Sequence, residues 1–349
     1  MQNRRPSSRD VAELAGVAQA TVSRALRDGT SCSAETRRKV EEAARKLNYS
    51  IDANASKLRS QRTNTLALLL NEERVVKGSF INPFFLSMLS SVVKATAKRG
   101  LDMLVSFQQD SADWLNDFGV SHKADGIIFL SYGNFQESAH KAYLEKAARL
   151  AENGMPFVTW GPADAGLPGH FVGSDNVAGA RQAVHHLTTI GCKRIVFIGE
   201  HSENAPEFHD RYRGYSQALK EAGLPVDPEL QVDALISEEA GYNAIHTLLE
   251  RGVSFDGVFG SCDLMAIGAI KALQERGWKV PGDVAVIGFD DLPSAASNTP
   301  PLSTIRQDTE GAGESLVELL LALIHGEEPR DVVLPTSLVI RDSSRLLKV

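Results

Sequence analysis

The 349-residue sequence holds 37 Lys and Arg against 44 Asp and Glu, a formal net charge of −7. Apolar residues make up 43% and charged residues 23%, the balance of a globular chain of two or three domains with a sizeable core. No run approaches the roughly eighteen apolar residues of a membrane span. The polar start Met1-Gln-Asn-Arg-Arg-Pro is no secretory segment, and Cys32, Cys192 and Cys262 lie too far apart for a disulfide framework or a thiolate zinc site. A cytoplasmic chain without metal or cofactor is expected.

The charge is uneven. Residues 1–60 hold twelve Lys and Arg against seven Asp and Glu, so a basic end of +5 precedes an acidic body of −12. That is the plan of a nucleic-acid arm joined to a body with another task; a solvated charged face is the alternative. Ser7 and Ser8 place capping hydroxyls ahead of Asp10 and predict a first helix with Val11, Ala12, Leu14 and Ala15 on one face, interrupted by Gly16. A second helix is predicted over 19–26 with Val22, Ala25 and Leu26 inward, then a turn at Asp28-Gly-Thr30. Ser33 caps a third over 34–47, with Val40, Ala43, Ala44 and Leu47 at helical spacing. Two short helices joined by a tight turn, with a third packed across them, make a helix-turn-helix.

The block Asp10-Val-Ala-Glu-Leu-Ala-Gly-Val-Ala-Gln-Ala-Thr-Val-Ser-Arg-Ala-Leu26 resembles the headpiece of the lactose-repressor/galactose-repressor family of bacterial transcription regulators. The first residues of a second helix of this kind reach base edges in the major groove. Gln19 can present its amide to adenine and Ala20 a methyl to thymine. The resemblance makes Gln19, Ala20 and Arg24 the base readers. Ser8, Thr21, Ser23, Asn48 and Tyr49 are candidates for phosphate contacts, which hold register without reading sequence. For Thr21 and Ser23 the alternative is a cap or a solvated helix face.

Residues 52–59 are predicted as a short hinge helix capped by Asp52, too short to persist in water without a partner. By resemblance two such helices meet in the minor groove, with Leu58 as the wedge between base pairs. Ile51-Asp52 stands where the family usually has Pro-Asn, and Ser56 where Arg is frequent. A plain linker is the other reading.

Beyond residue 63 short apolar runs alternate with helical segments, the pattern of parallel α/β sheets. Strands are predicted at 66–70, 103–107, 126–130, 157–160, 194–198, 257–260 and 284–288. Helices are predicted at 84–99, 141–152, 177–190, 211–222, 239–251, 264–276 and 310–325. Neither a phosphate-binding loop nor a dinucleotide fingerprint is present, and neither a nucleophile elbow nor a metal-ligand spacing stands out; His201 and His209 only flank an acidic loop. The blocks Asn82-Pro-Phe-Phe85, Val172-Gly-Ser-Asp-Asn176, Arg211-Tyr-Arg-Gly-Tyr215, Asp263-Leu-Met-Ala-Ile-Gly268 and Val286-Ile-Gly-Phe-Asp-Asp291 extend the resemblance over the body.

It implies a headpiece at 1–50, a hinge at 51–62, and a core at 63–349 like periplasmic sugar-binding proteins. The core would have an N-subdomain of about 63–161 plus 292–323 and a C-subdomain of about 162–291 plus 324–349. Crossovers are expected at 161–163, 291–294 and 323–327, with a ligand cleft outside the carboxyl ends of the strands.

By resemblance Arg211, at the start of a helix, and Asp263 are the effector-binding pair; a guanidinium fork holds two oxygens and a carboxylate accepts from two hydroxyls. Asp175 and Asn176, where a strand meets a helix N-terminus, each read as a cap or a ligand contact. Trp160 reads as a stacking face or core, Asp290 as ligand contact or hinge support, and Asn82 and Phe84 as further cleft candidates. Cys262 stands where the family commonly has Asn, and 72–79 looks longer than usual and partly basic.

The whole therefore reads as a DNA-binding regulator, a repressor controlled by a small sugar-like effector, rather than an enzyme. It would act as a homodimer on a pseudo-palindromic operator and carry no tetramerising tail. The helix over 83–99 and residues 264–270 are the expected interface. A purine effector, or a cytosolic solute-binding protein, is the alternative. Leu58→Ala is expected to weaken operator binding and reduce DNA bending in gel-shift and permutation assays.

Overall fold

The computed structural model describes residues 6–27, 32–49, 62–70, 73–75, 78–107, 113–130, 137–162, 168–202 and 205–345. It divides into two units, Met1–Thr63 and Asn64–Val349.

The first unit contains α1 (Ser8–Ala15), α2 (Gln19–Arg27) and α3 (Ala34–Lys46). Ser7 rather than Ser8 caps α1. Its backbone N–H donates to Asp10 Oδ2 at 2.7 Å and its Oγ accepts from Asp10 N, a reciprocal capping box. Gly16 ends α1 in the left-handed conformation at φ +66°, where a side chain would be strained. Ser33 caps α3. Val11, Ala12, Val22, Ala25, Val40, Ala43 and Ala44 form the headpiece core. The turn at 28–30 and the hinge at 52–59, with Leu58, fall outside the described residues.

The second unit starts with β1 (Thr65–Leu70), a hairpin of β2 (Glu73–Val75) and β3 (Gly78–Phe80), α4 (Pro83–Lys98) and β4 (Asp102–Phe107). A π-helix at Leu115–Val120, β5 (Gly126–Phe129), α5 (Glu137–Glu152), β6 (Phe157–Trp160) and β7 (His170–Ser174) follow. Next come α6 (Asn176–Thr189), β8 (Ile195–Ile198), α7 (Pro206–Glu221), β9 (Gln231–Val232), α8 (Glu238–Glu250) and β10 (Gly257–Gly260). The chain continues through α9 (Asp263–Glu275), β11 (Ala285–Asp290), α10 (Pro293–Ser297), β12 (Ser303–Gln307), α11 (Thr309–Ile324), β13 (Val332–Leu334) and β14 (Thr336–Val339).

These strands build two six-stranded sheets. The first has order β13-β7-β6-β5-β1-β4 and is parallel throughout. The second has order β14-β12-β11-β10-β8-β9, parallel except where β14 runs against β12. Inner strands such as Leu66–Leu70 are apolar on both faces because helices cover both sides.

The sheets correct the expected subdomain borders. β7 and β13 belong to the first sheet, and β12 to the second. The chain therefore crosses near 175, near 308 and at Pro335, each time about one strand later than 161–163, 291–294 and 323–327. The strands responsible are His-Phe-Val-Gly-Ser, Ser-Thr-Ile-Arg-Gln and Val-Val-Leu, too short or too polar to stand out from turns. The helix bearing Arg211 also starts earlier than expected, because Pro206 occupies its first position and Arg211 falls in its second turn.

Two surfaces bear on self-association. β4 is the edge strand of the first sheet and exposes Leu104, Val105 and Phe107; α4 exposes Leu86 and Val93. On the other side of α4, Phe84, Met88 and Val92 are buried in the core. Within 264–270, Leu264, Met265, Ala266, Ala269 and Ile270 are buried within their own unit. There α8 and α9 cross backbone to backbone. A Cβ on Gly268 would lie 1.9 Å from the Glu238 carbonyl oxygen, and one on Gly241 2.0 Å from that of Met265. Gly268→Ala is expected to force these helices apart and cost roughly 3 kcal/mol in urea unfolding of the purified protein.

Candidate nucleic-acid interface and effector cleft

In the first unit the predicted base readers share an open surface. Gln19 and Ala20 open α2, Arg24 lies one turn on, and all three are exposed. Gln19 Nε2 donates to Ser8 Oγ at 2.8 Å, so the amide is pre-aimed across the starts of α1 and α2. Arg24 Nε donates to the Ala20 carbonyl at 3.4 Å, and the fork can still turn outward. Thr21 and Ser23 are half-buried beside them. Asn48 is exposed after the end of α3 at φ +50°, a left-handed conformation Asn tolerates. Tyr49 packs against the headpiece core.

In the second unit a polar cluster forms at the carboxyl ends of the strands. The Arg211 guanidinium is buried: Nε donates to Asn176 Oδ1 at 2.8 Å and Nη1 to the Ser261 carbonyl at 2.5 Å. Its plane lies over the Phe289 ring, 3.8 Å from the centroid. Asp290 Oδ1 stands 3.7 Å from Nη1 and accepts from Gln307 Nε2 at 2.7 Å. Arg211 Nη2 and Asp290 Oδ2 make no hydrogen bond among the described residues.

The aim of Asp290 is set by its backbone. Asp290 and Asp291 both have positive φ, +119° and +56°, a conformation that persists only when surrounding contacts enforce it. Asp291 supplies them through ion pairs with Arg306 at 2.6 Å and Arg341 at 2.5 Å.

Asp263 is tied into the fold beside this pair. It is fully buried, and its two oxygens already accept from Leu292 N at 2.7 Å and Thr304 Oγ1 at 2.5 Å. These bonds hold the chain after β11 onto β12, and each carboxylate oxygen keeps a second acceptor site. Burial raises its pKa well above the carboxylate range, the nearby Asp290 adds to this, and the Thr304 and Leu292 hydrogen bonds oppose it. Burial likewise pushes Asp290 up to about 6, against the pull of Arg211 and the Gln307 hydrogen bond.

Asp175 caps α6 through Ala178 N at 2.8 Å, and Asn82 caps α4 through Phe84 N at 3.0 Å. Trp160 is buried in the core with Phe84, their centroids 5.9 Å apart. Ser261, Phe289, Thr304 and Gln307 complete the cluster and were not foreseen. Gln307, the last residue of β12, had a positional signal, but that strand itself was missed. Among the described residues Glu200, His201 and Asp233 are near enough to share a metal ion, their donor atoms within 4.8 Å of one another. His201 Nδ1 is already engaged by Asp233 Oδ1 at 2.8 Å.

Residues 9–52 match the model for bacterial regulatory proteins, lacI family, and residues 184–344 that for a periplasmic binding protein-like domain. The HTH-type transcriptional regulator CelR of Thermobifida fusca is 32% identical across 98% of this chain and 99% of its own. The chain belongs to the lacI family of bacterial regulatory proteins. It is a DNA-binding transcription regulator, with a helix-turn-helix headpiece and a periplasmic-binding-protein-like core. The solved structure of the transcriptional regulator CelR–cellobiose complex is similar at 31% identity and TM-score 0.70, covering 97% of this chain and 100% of that one. The repressor PurR of Pasteurella multocida (strain Pm70) is 27% identical over 96% of this chain and 97% of its own. No helix among the described residues is long and apolar enough to cross a membrane.

The raised pKa of Asp290 carries a stability consequence. A carboxyl that titrates near 6 when folded and near 3.8 when unfolded favours its neutral form in the fold. Its contribution is full below about pH 4 and is lost as pH rises through 6. Asp290→Asn cannot ionise and is expected to flatten this fall, on the order of 2 kcal/mol, in melts compared between pH 4 and 7.

Proposed function

We propose that this regulator is a cytoplasmic repressor of carbohydrate genes that grips a pseudo-palindromic operator as a homodimer and is controlled by a small sugar. One observation carries the effector reading. A buried guanidinium and a buried carboxylate, 3.7 Å apart, each keep one polar edge without a partner among the described residues. A donor beside an acceptor is the complement of neighbouring hydroxyls, which need both. Asn176 and Phe289 hold the fork rigid, so little freedom is lost on binding.

The exposed apolar faces of β4 and α4 support pairing of two copies. A single headpiece reads only a few base pairs, and two copies on matched half-sites supply the rest. The likeness to a cellobiose-bound regulator favours a neutral sugar. A purine is the second reading, favoured by the relative named PurR.

In the mechanism, Gln19, Ala20 and Arg24 read bases, and Ser8, Thr21, Ser23, Asn48 and Tyr49 hold phosphates. Leu58 wedges the duplex when two hinge segments meet. Ligand bound at Arg211 and Asp290 favours one setting of the two sheets over the other. That setting fixes the spacing of the hinge segments at the dimer, and DNA affinity changes by the ligand's differential affinity for the two states.

A thermal-shift panel of sugars and nucleobases, followed by operator-binding titrations, tests this. Arg211→Lys keeps the charge but loses the fork. It is expected to raise the effector concentration needed for response roughly 10- to 100-fold, with effector-free operator affinity unchanged. An undiminished response would remove Arg211 from the effector site.

A further inference from the structure

Among the described residues five buried polar side-chain atoms have no hydrogen-bond partner: Trp114 Nε1, Ser174 Oγ, Ser216 Oγ, Gln231 Oε1 and His246 Nε2. Buried polar groups are normally paired, so each invites an explanation. Ser216 and His246 lie on helices, Trp114 precedes the π-helix, and Gln231 is on the edge strand β9. Ser174 is different in kind. It is the last residue of β7, where the chain leaves the first sheet for the second, and it is only 7% exposed.

Its direction follows from the pleat. Side chains two apart on a strand share a face, so Ser174 projects on the side of Val172. Val172 pairs across β6 with Trp160, and both belong to the cluster that contains Phe84. Ser174 Oγ thus lies on the Trp160–Phe84 face, one step further toward the carboxyl ends of the strands. Its own carbonyl accepts from Asn176 Nδ2 at 3.2 Å, and Asn176 Oδ1 in turn holds Arg211. The orphaned hydroxyl is therefore two residues from the group that orients the guanidinium.

We infer that Ser174 is an effector-contacting and specificity-determining residue, whose hydroxyl pairs with a hydroxyl of a neutral sugar held at Arg211. The inference rests on the effector reading above and adds to it a contact from the first sheet. With Arg211 on α7 and Asp290 on β11 of the second sheet, a ligand touching Ser174 bridges the two sheets, and this bridge is what couples occupancy to their setting. A side-chain hydroxyl donates as well as accepts, so it pairs with a sugar hydroxyl in either direction. It discriminates against analogues that lack that hydroxyl, because their binding leaves Ser174 Oγ buried and unpaired.

The test uses the full-length wild type, Ser174→Ala and Ser174→Thr, titrated calorimetrically with cellobiose, maltose, glucose, galactose and ribose. For whichever sugar binds, its monodeoxy analogues are then compared on wild type and Ser174→Ala. Expected results are a roughly 3- to 10-fold loss of affinity in Ser174→Ala, recovery in Ser174→Thr, and one deoxy analogue that binds both proteins alike. The ligand-free Ser174→Ala protein should melt at the wild-type temperature or above, because it loses a hydroxyl without a partner. Full sugar affinity in Ser174→Ala, or a ligand-free melt several degrees lower, overturns the inference while leaving the effector reading intact. A wild type that binds none of the sugars overturns both.

Discussion

Arg211 is the constraint around which the second sheet's edge is organised. A guanidinium removed from water must have its donors met, and leaving one unmatched is costly. Here the partners come from three places: Asn176 at the start of α6, the carbonyl of Ser261 before α9, and Asp290 at the end of β11. Phe289 lies beneath the plane. Each of these partners sits at a strand end or a helix start, so the charge ties four segments of chain together at one point. Two carboxylates, Asp263 and Asp290, share this neighbourhood with a single buried guanidinium. Burial is the largest cause for both acids: it raises Asp263, with the Asp290 charge adding to it, and it raises Asp290 against the pull of Arg211.

The headpiece was the most legible part of the sequence. Short helices with serine caps, small apolar residues at helical spacing and a glycine stop are local signals, and α1 to α3 follow them within a residue or two. Inner strands such as Leu66–Leu70 were legible because they are buried on both faces. The strands that decide where the chain changes sheets were not. His170–Ser174 and Ser303–Gln307 owe their structure to neighbours already in place rather than to their own pattern. Arg211, which the resemblance singled out, converges with Asn176 and Asp290, which were legible from their places at a helix start and a strand end. The motif position of Asp263 did not say which partners within the fold would engage its oxygens. Leu292 and Thr304 are 29 and 41 residues away in sequence.

The two expected interface segments part for a similar reason. Residues 264–270 are apolar because two glycines let α8 and α9 touch, and that contact consumes them. The apolar residues left outside are on β4 and α4. An edge strand with Leu104, Val105 and Phe107 uncovered is a liability for a lone chain, since unpaired edges recruit other strands. Covering it in a second copy would remove the hazard.

One residue separates β13 from β14, and those strands belong to different sheets. That residue is Pro335, whose ring locks φ and whose nitrogen has no proton to give. Leu334, just before it, accepts from Asp175 N at 2.9 Å, so two of the three crossings are stitched to each other. This crossing is therefore a short, stiff bearing. It restricts how far β13 and β14 can turn against each other, and the bond from Asp175 makes the neighbouring crossing share that restriction.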